Sequence, residues 1–141
     1  MKDGYQLVVA TPSADDYRRL RVAAGLSAKS AEAAAAGLPN TLFAVQIRKD
    51  EEVVGMGRVV GDGGLFYQVV DIAVEPAHQG QGLGKAIVER IVEHLRQTAP
   101  LGAYVSLIAD GEAFTKSLLR QAGSTIAREL MRGILGSMKK R

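Results

Sequence analysis

Between Val69 and Leu95 the chain reads VVDIAVEPAHQGQGLGKAIVERIVEHL, and few folds admit that order. An apolar run of strand length comes first. A loop holding Gly80, Gly82 and Gly84 follows, and then a helix with one apolar face. Leu83, Ile87, Ile91 and Leu95 recur every four residues with Val88 and Val92 beside them, while Lys85, Glu89, Glu93 and Arg96 hold the other side. The loop therefore sits at a helix N-terminus, where the first N–H groups lack intrahelical partners and the macrodipole adds partial positive charge. Such a site binds phosphate or pyrophosphate without a basic side chain. The glycines let the main chain approach a ligand closely. A cofactor carrying a pyrophosphate is the expectation.

The rest of the chain supplies a mixed α/β domain around this unit. At 141 residues, a single domain is expected over 1–141. Tyr5 to Ala10 reads as a strand, and Ser13 as the N-cap of a helix through Ala24 with Asp15 and Asp16 in its first turn. An alanine-rich helix is expected over Ser27 to Ala36, stopped by Gly37 and Pro39. Thr41 to Arg48 and Glu52 to Val60 form a hairpin, with Gly55 and Gly57 marking a bulge or a close backbone approach. Gly61 to Gly64 is a turn. Leu65 to Val74 is a central strand, nearly all apolar around Gln68 and Asp71. After the helix come a short strand, Tyr104 to Ala109, and a helix, Ala113 to Ala122. Residues 124–141 fit a strand or a helix equally well.

Composition removes several chemistries. With no cysteine there is no disulfide and no thiolate, which is compatible with a reducing compartment, and a cytoplasmic location is expected. His78 and His94 have no carboxylates at metal-ligand spacing, so no metal is expected. No apolar run reaches about 18 residues, so no membrane span is expected. The net charge of +3 is too mild to argue for nucleic acid. A dinucleotide-binding Rossmann unit fits poorly, because the third glycine of Gly80-x-Gly82-x-Gly84 is misplaced and no repeated parallel units follow.

Gln79-Gly80-Gln81-Gly82-Leu83-Gly84 matches the Q/R-x-x-G-x-G/A pattern of the GNAT superfamily of N-acetyltransferases, and the flanking Asp71-Ile72-Ala73-Val74 and Glu75-Pro76 are similar too. The resemblance runs to about Gly123 and leaves 124–141 poorly matched. It implies a mostly antiparallel central sheet flanked by helices, acetyl-CoA as cofactor and a primary amine of a small molecule as acceptor. Backbone groups of Ile72, Ala73 and Val74 would meet the pantetheine arm, and Gln79, Gly80, Gln81, Gly82, Leu83, Gly84 and Lys85 the pyrophosphate. The thioester would lie between this strand and Tyr104 to Ala109.

Two positions depart from the family pattern. Leu119 stands where many members carry a tyrosine that protonates the leaving thiolate, so catalysis is impaired, uses another acid, or needs none. Gln68 stands near the place of a glutamate base, which leaves Asp71 and Glu75 as the nearest carboxylates for a catalytic role. Arg58 and Asp62 are candidates for gripping a charged substrate, against an ordinary surface ion pair. Tyr67 and Tyr104 are candidate acids, and His78 a candidate cofactor contact. The runner-up function is a CoA-binding sensor or partner module without catalysis. The apolar C-terminal segment offers a surface for a homodimer.

Overall fold

The computed structural model describes residues 3–107. The helix expected at 113–122, the Leu119 position, the expected end of the last strand beyond residue 107 and the segment 124–141 lie outside the described residues.

Among the described residues five strands form one sheet in chain order: β1 (Tyr5–Val9), β2 (Phe43–Lys49), β3 (Glu52–Gly61), β4 (Phe66–Val74) and β5 (Tyr104–Leu107). The first four pair antiparallel and β4 pairs β5 in parallel. A parallel pair needs a crossover, and α3 (Leu83–Thr98) supplies it. The α/β class and the mostly antiparallel sheet expected from the sequence are what the fold contains.

Two cores lie on opposite faces of the sheet. The apolar stripe of α3, from Leu83 through Ile87 and Ile91 to Leu95, packs on Val45, Ile47, Val59, Val69, Ile72 and Val74. Burying each Leu, Ile or Val side chain contributes roughly 1.5–3 kcal/mol, so this stripe anchors the crossover. Gly57 permits its close approach: a Cβ there would stand 2.5 Å from Ile87 Cγ2 and 3.0 Å from Ile91 Cδ1. On the other face α1 (Ala14–Ala23) sets Tyr17 and Leu20 against Val53, Met56 and Ala73.

Both N-terminal helices are capped by serine. Ser13 Oγ accepts from Asp16 N–H at 3.2 Å, and Ser30 Oγ accepts from Ala33 N–H at 3.0 Å. The second helix, α2 (Ala31–Gly37), starts four residues later than expected from the alanine run. The reason lies in α1. Arg21 Nε donates to the Ser27 carbonyl at 2.8 Å and Arg18 Nε to the Lys29 carbonyl at 2.9 Å, which holds 27–30 outside the helix.

The register of β3 on β4 slips once. Met56 faces Ala73 and Arg58 faces Val70, so the single residue Gly57 spans both Ile72 and Asp71. The extra residue is a β-bulge in β4, and Asp71 sits there with φ at +59°. The bulge inverts the alternation of the strand. Tyr67 and Val69 face α3 before it, and Ile72 and Val74 face α3 after it. Gln68, Val70 and Asp71 all border a cavity on the α1 side, and Ala73 packs there too.

Candidate active site

The glycine loop joins the end of β4 to α3. Gln79 folds back so that its Nε2 donates to the Val74 carbonyl at 3.1 Å, pinning the loop to the strand. Gly80 and Gly82 adopt φ of +80° and +82°, the left-handed region where a side chain is strained. Gly82 is the N-cap of α3, and no side chain caps this helix, in contrast to Ser13 and Ser30. A Cβ built on Gly80 or Gly82 meets nothing within 4 Å, so the outer side of the loop is open. An uncapped helix start beside open space fits a pyrophosphate oxygen as the missing acceptor. Gln81 is half-buried, Leu83 and Gly84 are buried, and Lys85 is exposed with its Nζ 4.0 Å from Glu89. On the neighbouring strand the pairing of β4 with β5 ends at Val69 and Leu107 among the described residues. The β5-side backbone edge of Ile72, Ala73 and Val74 therefore continues past that pairing toward the loop.

Asp71 anchors a buried charge cluster. Its Oδ1 accepts from Arg21 Nη1 at 2.6 Å and from Tyr17 Oη at 3.0 Å, and its Oδ2 accepts from Arg58 Nη1 at 2.6 Å. Asp71, Arg21 and Arg58 are 7%, 5% and 6% exposed, so solvent screens these contacts little. Arg58 Nε donates to Thr41 Oγ1 at 2.9 Å. Burial, and then the Asp71 charge, push the Tyr17 phenol above its ordinary range, so it stays a donor at neutral pH. The cluster walls a cavity of about 320 Å³. Tyr17, Arg21 and Lys29 line it from the helical side, and Arg58, Gln68 and Asp71 from the sheet.

Other candidates from the sequence fall elsewhere. Arg58 is no surface residue, and its acidic partner is Asp71, not Asp62. Asp62 lies in the exposed turn between β3 and β4. Its Oδ1 accepts from the N–H groups of Gly64, Leu65 and Phe66 at 2.9, 2.7 and 3.1 Å, and these donors hold its carboxyl below the ordinary value. Asp62 is thus a turn-forming residue away from the cavity lining. Glu75 pairs with Arg19, and Arg19 Nη2 also donates to the Val53 carbonyl at 2.8 Å. His78 shares a hydrogen bond with Tyr5 Oη at 2.9 Å and stacks edge-on against that ring at 5.7 Å. Tyr67 is buried in the α3-side core, and Tyr104 is exposed at the far end of β5 beside Phe66. Neither tyrosine borders the cavity.

Tyr17, Arg21 and Lys29 are polar wall residues absent from the sequence candidates, and only the first two left a signal. The signal was there in α1: Tyr17, Leu20 and Arg21 fall at i, i+3 and i+4 on one face, and an arginine on an apolar face needs a buried acid. The lone Asp71 in an apolar strand was that acid.

Among the described residues no helix is long and apolar enough to cross a membrane. The acetyltransferase (GNAT) family model matches residues 13–114. A crystal structure of a protein of unknown function from meticillin-resistant Staphylococcus aureus, described as a "probable acetyltransferase", superposes with a TM-score of 0.72. It is 43% identical, over 79% of this chain and 86% of that one. A GNAT family acetyltransferase from Streptococcus pneumoniae is 25% identical with a TM-score of 0.62, over 81% of this chain and 85% of that one. Among curated relatives, GCN5-related N-acetyltransferase 2, chloroplastic, of Arabidopsis thaliana is 38% identical over 65 residues. That match takes in 46% of this chain and 24% of the relative, so the chain spans about a quarter of the length of the curated relatives it matches.

Proposed function

Because this chain belongs to the acetyltransferase (GNAT) family, we propose that it moves an acetyl group from acetyl-CoA to a primary amine of a small molecule. The observation that carries this reading is the start of α3: two left-handed glycines, no side-chain cap, open space outside, and a backbone edge of β4 leading to it. Acetyl-CoA supplies an acetyl thioester, whose carbonyl carbon bonds to the amine nitrogen as the C–S bond breaks, the thiolate leaving and the nitrogen losing a proton. The chain's own contribution is to hold the two reactants together, which can lower the barrier by roughly 7–11 kcal/mol where alignment is good.

Free alkylamines are protonated at neutral pH, so the site must favour the neutral form. Arg21, Arg58 and Lys29 border one cavity, and their positive charge disfavours a neighbouring ammonium. This route to a reactive amine needs no glutamate at the position of Gln68, whose Nε2 instead reaches Ser106 Oγ at 3.5 Å. Asp71 has both oxygens engaged by Arg21, Arg58 and Tyr17, which supports a positioning role. Glu75 is held through one oxygen, by the partly exposed Arg19.

Calorimetry with coenzyme A and thiol release from acetyl-CoA over a panel of amines test the reading. Gly82→Val puts a β-branched side chain at φ +82° on the loop. It is expected to raise the Kd for coenzyme A at least tenfold, about 1.4 kcal/mol. Unchanged affinity defeats the loop assignment. Tight CoA binding with no thiol release on any amine favours the second reading, a CoA-binding module, which the glutamine at position 68 and the fully engaged Asp71 support.

A further inference from the structure

The wall of the 320 Å³ cavity has more positive charge than its own acid neutralises. Among the described residues Arg21, Lys29 and Arg58 line it with one carboxylate, Asp71. Arg21 and Arg58 share that acid, and Lys29 adds a further cation at the rim. The excess is not masked by hydrogen bonding. Arg58 is 6% exposed and uses Nε on Thr41 and Nη1 on Asp71, which leaves Nη2 without a hydrogen-bond acceptor among the described residues. Nor is that nitrogen sealed in protein, since Arg90 Nη1 is the sole buried side-chain polar atom lacking a partner there. Its remaining outlet is the cavity that Arg58 borders. Lys29 is exposed at the rim and makes no ion pair among the described residues.

A guanidinium nitrogen that opens only into a narrow cavity is weakly screened by bulk water, so an anion that meets it there is held more strongly than at the surface. The N–H groups on Arg58 Nη2 remain for charge-assisted hydrogen bonds to an oxygen of a carboxylate or phosphate. A cavity walled by one sign of charge also draws in ligands of the other sign. The remaining lining is apolar or neutral, with Leu26, Val60, Val70 and Ile72 giving room for a short carbon chain.

We infer that the acceptor carries an anionic group, a carboxylate or phosphate, which Arg58 Nη2 and Lys29 grip while the amine end points along β4 toward the glycine loop. The inference rests on the acyl-transfer reading for the word acceptor, and on the cavity alone for the anion. It excludes polyamines and other polycations as good substrates, because they add positive charge to a wall already in excess.

The test uses the full chain and matched pairs: β-alanine against propylamine, and phosphoethanolamine against ethanolamine, with spermidine as the polycation. Thiol release from acetyl-CoA gives kcat/KM, and calorimetry on CoA-saturated protein gives amine affinity. The anionic member of a pair is expected to exceed its neutral partner at least tenfold in kcat/KM. Lys29→Glu should bring that ratio down about tenfold through KM. Lys29 is an exposed rim residue, so the variant should fold, and its melting temperature checks this. Preference for spermidine or for the neutral amines overturns the anion site while leaving acyl transfer standing. Binding of the anionic amines that depends on Lys29, without turnover of any amine, leaves the anion site standing and sinks acyl transfer. If Lys29→Glu weakens coenzyme A but not dephospho-coenzyme A and leaves the amine ratio unchanged, the cavity takes the cofactor's own phosphate and the inference is overturned.

Discussion

Asp71 holds a left-handed backbone, two guanidiniums and a phenol at one position of a strand. Asparagine tolerates the same backbone and has nearly the same shape, so Asp71→Asn isolates the charge. The variant takes away the carboxylate that Arg21 and Arg58 share. Breaking a buried pair this way costs about 3–5 kcal/mol, and urea unfolding is expected to show a loss of that size. A loss under 1 kcal/mol would mean that solvent reaches the cluster. Replacing Tyr17 with Phe removes one neutral donor and should cost only ~1 kcal/mol, because both guanidiniums stay in place. The contrast between the two variants separates charge compensation from simple hydrogen bonding.

At the level of elements, the approach of α3 to the sheet depends on the absence of side chains in β3. A methyl group at Gly57 would collide with Ile87 Cγ2, an atom fixed next to the helix backbone by β-branching. Gly57→Ala is therefore expected to lower stability by about 1–3 kcal/mol through overpacking, measured as a lower urea midpoint. Gly55, with its nearest neighbours at 3.4 Å, should tolerate alanine better. The same comparison shows what the residue order made readable. The stripe of α3, the serine cap of α1 and the glycine loop follow from periodicity and local chemistry, and they stand where expected. The late start of α2 was not readable, because it depends on arginines of α1 reaching carbonyls up to eleven residues away. Nor was the bulge in β4, which arises from the pairing of two strands and leaves no local signature apart from a lone aspartate. The pairing of Arg58 with Asp71 in place of Asp62 has the same origin: the bulge decides which side chains share a face.

For the whole molecule, the two faces of the sheet divide the work. The α3 face carries the larger apolar core and anchors the crossover, while the α1 face carries the charged cavity. A ligand that binds only the folded chain at about a hundredfold its Kd adds ~2.7 kcal/mol to stability. For a domain of this size that corresponds to a melting temperature raised by roughly 10 °C in the presence of coenzyme A. No shift at saturating coenzyme A would argue that the loop does not hold it. Hydrogen exchange should place the protection at residues 82–86, where α3 begins without a side-chain cap.

The extra residue in β4 has one more consequence. Remove Asp71 and the strand regains plain alternation: Val70 and Ile72 become neighbours, Ile72 and Val74 stay in the oily layer beneath α3, and the ladder with β3 runs unbroken. Only the acid that Arg21 and Arg58 share disappears. The additional position thus serves the charged side of the sheet and contributes nothing to the packing of the other.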